Sequence, residues 1–157
     1  MMERVMKLHK TLLFCLIALP GLGHANGWGI GIDVVRLIDG NQDDGMFNIF
    51  AQAPVAPSGA VVVGHAKGDN LTIIEGGYKH YLGSRLDSAF FQVGLGYYDI
   101  DVDDDVGFIG HAGFEKRVAR HIVVTGSVKM IAGIDETIIG YPETPVFQPT
   151  LGVMLAF

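Results

Sequence analysis

Cysteine is almost missing from this chain. Cys15 is the only one in 157 residues, so everything after it is without disulfides, thiolate metal sites or sulfur nucleophiles. Basic residues are scarce as well. Setting aside residues 1–25, which hold Glu3, Arg4, Lys7 and Lys10, leaves 8 Lys plus Arg against 16 Asp plus Glu, a net charge of −8. Nucleic-acid binding calls for a basic footprint, and that balance argues against it. No helical stripe of period 3.6 runs for a useful length after residue 25, and no linker or low-complexity run divides the chain. What remains is a glycine-rich sequence of short alternating segments, which is the pattern of an all-β domain.

The first 25 residues read as a cleaved signal peptide. Arg4, Lys7 and Lys10 supply a positive start, and Thr11 to Leu19 form an apolar core about half the length of a membrane-spanning helix. Pro20-Gly21 breaks it, and Gly23-His24-Ala25 offers the small residues a signal peptidase reads. Phe14 precedes Cys15 where a lipidation signal would want a small residue. Export is therefore expected, with one domain over residues 26–157.

Eight strands are predicted: Trp28–Ile38, Met46–Ala53, Ala60–Lys67, Leu71–Leu82, Ala89–Ile100, Val106–Val118, Ile122–Gly133 and Val146–Phe157. In an up-and-down meander, odd and even connections fall at opposite ends, and the charges sort that way. Odd connections and their flanks carry Asp39, Asp43, Asp44, Asp69, Asp99, Asp101, Asp103, Asp104, Asp105, Asp135, Glu136 and Glu143. Even connections and their flanks carry Arg85, Lys116, Arg117, Arg120 and His121 against Asp87. One end is acidic and the other basic.

Alternation assigns the faces. In the last strand Phe147, Pro149, Leu151, Val153, Leu155 and Phe157 share one side. Equivalent apolar sets include Ile30/Ile32/Val34, Phe91/Val93/Leu95/Tyr97 and Phe108/Gly110/Ala112/Phe114. Aromatics on that parity fall at two levels: Phe47, Tyr97, Phe108 and Phe147 near the acidic end, Trp28, Tyr78, Phe91, Phe114 and Phe157 near the other. Two aromatic girdles around an apolar band suit a barrel in a bilayer. The opposite parity is polar: Asp33, Asn48, Gln52, His65, Lys67, Glu75, Lys79, Gln92, His111, Glu115, Arg117, Thr125, Ser127, Lys129 and Gln148. The expected fold is an eight-stranded antiparallel up-and-down transmembrane β-barrel with a filled polar lumen. Buried ions must be paired, so Asp33, Glu75 and Glu115 are expected to form a network with Lys67, Lys79, Arg117 and Lys129. Pro149 removes a ladder donor within the last strand and predicts a bulge there.

The final eight residues, TLGVMLAF, resemble the C-terminal assembly signal of bacterial outer-membrane barrels, with Thr150, Gly152, Leu155 and Phe157 at its four defined positions. In architecture and in this signal the chain from residue 26 resembles the small barrels of the OmpA transmembrane-domain, OmpX/Ail and opacity-protein kind. The resemblance implies integral insertion in the outer membrane of Gram-negative bacteria. Implied partners are outer-membrane lipid and lipopolysaccharide, with the barrel-assembly machinery and periplasmic chaperones during biogenesis.

Chemistry-bearing patterns are few. Some barrels of this size modify lipid A with Ser, His and an acid at the outer end. Here Ser58, Ser84, Ser88, His80 and His121 fall at the basic end, and Ser127, His65 and His111 are assigned inward, so no Ser/His pair reaches the other rim. His111 and Glu115 share a face but lie too far apart to pair. Asp99, Asp101, Asp103 and Asp105 alternate on one expected face and are a candidate Ca²⁺ or Mg²⁺ site that could bridge to lipopolysaccharide phosphates. Asp104 and Ile109 occupy positions where a calcium loop of the EF-hand type needs Gly and an acid. A solvated acidic loop is the alternative. No cofactor is implied. The favoured role is a non-catalytic structural or surface-interaction barrel. A narrow ion or small-solute conductor and a lipid-A-modifying enzyme are the alternatives. A soluble lipocalin-like barrel would require the opposite faces, with apolar residues lining a cavity.

Overall fold

A computed structural model describes residues 27–38, 45–101, 103–135, 138 and 145–157. The expected signal peptide and the acids Asp39, Asp43, Asp44, Glu136 and Glu143 lie outside the described residues. The chain is an eight-stranded antiparallel up-and-down β-barrel: β1 (Gly29–Asp33), β2 (Phe47–Ala56), β3 (Gly59–Lys67), β4 (Leu71–Tyr81), β5 (Ser88–Ile100), β6 (Asp103–Ala119), β7 (Ile122–Ala132) and β8 (Val146–Ala156). Each strand pairs with the next, and β8 returns to β1. A short helix α1 (Val34–Ile38) follows β1.

The ring closes with a stagger. Following partners from Gly29 through Gln52, Val62, Gly77, Gly94, Ile109 and Ile131 leads to Val146 on β8. Gly29 itself pairs with Ala156, ten residues further along. For eight strands that offset tilts each strand by roughly 40° from the barrel axis. An eleven-residue strand such as β4 or β8 then rises roughly 27 Å along the axis.

Two expectations about the seam are corrected. The first strand was predicted to run to Ile38, but it leaves the sheet at Asp33. The Asp33 carboxylate accepts the Val35 N–H at 3.0 Å, as an N-cap does, and the Leu151 N–H at 3.3 Å. The Asn48 side chain completes the ladder in place of backbone, accepting from Asp33 N at 2.6 Å and donating to Asp33 O at 2.8 Å. Pro149 was expected at a bulge, yet β7 and β8 stay in register without a shift from Ile122 to Ile131. Leu151 and Phe157 donate toward the β1 side, and N–H directions alternate along a strand. Pro149 therefore lacks its donor on the edge that β1 has vacated, where none is needed.

The wall has the polarity predicted from alternation. Ile30, Val93, Leu95, Phe108, Phe147 and Leu155 are among many large apolar side chains exposed on its outer face. Inside, two apolar clusters sit toward opposite ends. Met46, Ile73, Tyr98, Ile131, Ile134 and Val146 pack near the acidic end. Tyr81, Leu86, Phe90, Val123 and Met154 pack near the basic one. Leu86 comes from the β4–β5 turn, which folds beneath the barrel; its φ of 64° is unusual for a branched residue and is held by burial in that cluster. At the acidic end Gly107 leaves space for Ile134, whose side-chain carbon would lie 2.2 Å from a Cβ there.

Candidate functional site

Between the two apolar clusters lies a belt of buried polar and charged side chains, in two tiers. The tier nearer the basic end is built on Glu115, fully buried on β6. Lys79 of β4 donates to Glu115 at 2.6 Å and to the Gln52 amide oxygen of β2 at 3.0 Å. Gln52 donates to the Tyr81 hydroxyl oxygen at 2.8 Å, and that hydroxyl donates to the other Glu115 oxygen at 2.7 Å. Thr125 of β7 donates to the carboxylate at 3.4 Å. The Lys79 ammonium also sits 4.5 Å from the centre of the Phe90 ring, within cation–π range. Four strands thus converge on one ion pair, and each member has a partner.

The second tier is centred on Glu75 of β4. Lys129 of β7 and Arg36 of α1 both donate to its Oε1, the latter at 2.8 Å. Arg36 reaches it because β1 becomes helix: a strand would point residue 36 outward with Ile30 and Ile32, whereas a helix turns it about 100° per residue. Alternation alone could not find Arg36. The available signal was Asp33 followed by Val-Val-Arg, an N-cap residue with a cation in the last turn of the short helix.

Of the seven residues expected in the interior network, Glu75, Lys79, Glu115 and Lys129 are gathered into these two ion-pair clusters. Asp33 faces the same cavity but serves backbone donors instead of a cation. Arg117 is corrected: it lies at the rim of the inward parity and donates to the Arg120 carbonyl of its own turn at 2.8 Å. Lys67 and His65 are also corrected. Their register opposite Thr72 and Ile74, and opposite Phe47 and Ile49, places them on the outer side, with Lys67 exposed. The stretch Ala60–Gly64 before them is apolar on both faces, so polarity could not assign its parity.

A cavity of about 90 Å³ lies between the tiers and the seam, bordered by Asp33, Arg36, Glu75, Lys79, His111 and Lys129 among others. It has room for several water molecules. Among the described residues, the buried His111 Nε2 and Gln148 Nε2 make no hydrogen bond to protein. His111 borders the cavity, where water can satisfy its ring nitrogen.

The acidic candidate site is not assembled as expected. The hairpin turns immediately after Asp101, so Asp99 stands opposite Asp104 on the outer parity while Asp105 stands opposite inward Tyr98. The supposed single face is split by the turn. Asp103 and Asp105 accept the N–H groups of Asp104 and Val106, at 2.9 and 2.7 Å, and Asp105 also accepts from Asp135 N at 3.0 Å. Among the described residues no three acids or histidines gather into a group able to hold a metal ion. In the terminal motif, Thr150 and Gly152 face inward, with the Thr150 hydroxyl bonded to Ser127, while Leu155 and Phe157 are exposed on the outer side. No protein-family model matches the chain, and no curated protein matches it either.

Proposed function

We propose that this protein is an integral outer-membrane barrel of the OmpA/OmpX/Ail type, with a structural or surface-interaction role and no catalysis. The observation that carries the reading is the inverted polarity of the wall: exposed Ile, Leu, Val and Phe outside, paired ions inside. An aqueous solvent would favour the reverse, whereas a bilayer favours an apolar exterior with every backbone group paired in a closed ring. The eleven-residue strands, rising roughly 27 Å, match the apolar band of about 25 Å that such barrels present. Export through the N-terminal segment and assembly through Thr150, Gly152, Leu155 and Phe157 belong to the same reading, as do lipopolysaccharide and outer-membrane lipid as surroundings.

The test is fractionation of the expressed protein with a parallel electrophoretic assay. It should be recovered with outer membranes, resist extraction by urea or carbonate, and migrate differently in detergent before and after boiling. Recovery in the soluble periplasmic fraction without detergent would overturn the proposal.

A further inference from the structure

The β6–β7 hairpin carries a cluster that the interior network does not absorb. Its sequence, Lys116-Arg117-Val118-Ala119-Arg120-His121, puts four basic or titratable residues into six. Lys116 and Val118 share the outer parity, and Val118 is 59% exposed. The turn is fixed by the Arg117 bond to Arg120 O, by Ala156 N donating to His121 O at 2.8 Å, and by the His121 ring nitrogen at 2.9 Å from Ala156 O. Exposed Ile122, Phe157 and Phe114 border it on the outer face. Arg85 of the β4–β5 turn adds a further cation at this end. Among the described side chains, the carboxylate paired with the cluster is Asp87, 2.7 Å from Lys116 in an exposed pair; the opposite end has Asp69, Asp99, Asp101, Asp103, Asp104 and Asp105.

We infer that this hairpin is a docking surface for the headgroups of anionic phospholipids, an inference that rests on the membrane reading above. Apolar side chains flanked by cations at a barrel rim match a lipid whose chains lie against the wall and whose phosphate lies at the rim. Each Lys or Arg near an anionic surface contributes about fivefold to the attraction toward it. A soluble acidic partner would make no use of Val118, Ile122 and Phe157 on the outer parity.

Trp28, the only tryptophan, is a built-in reporter, because its carbonyl accepts the Phe157 N–H beside the hairpin. The chain from residue 26 is reconstituted into phosphatidylcholine vesicles containing one-fifth phosphatidylglycerol, with either lipid brominated in turn. Brominated phosphatidylglycerol should quench Trp28 several-fold more per mole than brominated phosphatidylcholine. Lys116→Gln with Arg120→Gln should cut the difference severalfold, and high salt should do the same. A reporter moved to the acidic end, Phe147→Trp with Trp28→Phe, should show no preference for the anionic lipid. Equal quenching of Trp28 by both lipids, or a preference undiminished by the double substitution, overturns the inference while leaving the barrel in the membrane. No quenching by either lipid overturns the membrane reading and this inference together.

Discussion

At the scale of single residues, the interior is governed by the rule that a buried charge needs a partner. Glu115 is fully buried, with Lys79, Tyr81 and Thr125 donating to it. Glu115→Ala leaves the Lys79 ammonium buried and unpaired, and should cost about 3–5 kcal/mol of stability. The paired apolar replacement Lys79→Met with Glu115→Leu should recover most of that loss, since it removes both charges together. Denaturant titration of the detergent-folded barrel, following the fraction that keeps its unboiled mobility, measures both. These inward positions were legible because the middle of β4, β6 and β7 sets Glu75 and Lys79, His111 and Glu115, and Thr125, Ser127 and Lys129 two or four residues apart. Arg36 was not legible, because its direction depends on where β1 gives way to helix. Lys67 and His65 were misassigned because the valines of β3 occupy both faces, so nothing local distinguishes inside from outside.

At the scale of elements, β8 separates two kinds of backbone donor. The Pro149 nitrogen faces the edge left by β1, while Gln148, one residue earlier, directs its N–H to β7. Pro149→Ala should therefore change stability by less than about 1 kcal/mol, whereas Gln148→Pro should cost about 3 kcal/mol or more by deleting a ladder bond and wedging a ring into it. Thermal or denaturant midpoints of the two variants give the comparison. The sequence marks Pro149 as anomalous but offers no means of knowing which edge it faces, since that depends on β1 ending early on a neighbouring strand. Leu86 is a second element-scale surprise. A turn residue next to Asp87 reads as surface, yet the β4–β5 turn carries it under the barrel mouth.

At the scale of the whole molecule, strand count and the separation of charge followed from periodicity and from the even–odd logic of a meander. Neither depends on side-chain detail. The interior layering was only half visible: alternation identifies which residues point inward, but the stagger of the closed ring decides which of them meet. The resulting order is apolar, ionic, apolar along the axis. Ions crossing it would have to pass two regions that offer few polar ligands in place of water. Planar-bilayer recording of the reconstituted protein should accordingly show no stable single-channel steps, and regular steps would favour the conductor reading.

The brevity of β1 has a mechanical consequence for the ring. It pairs with β2 only from Gly29 to Gly31, whereas β5 and β6 are joined along the thirteen residues from Ser88 to Ile100. Above Asp33 the circumference is bridged by α1 and by the side chains of Asn48, Asp33 and Arg36. A hoop parts where its clasp is shortest, and here the clasp is fastened by individual amide and carboxylate groups instead of a continuous ladder. Seven strands can thus behave as a curled ribbon whose two free margins are buttoned together by one small insert.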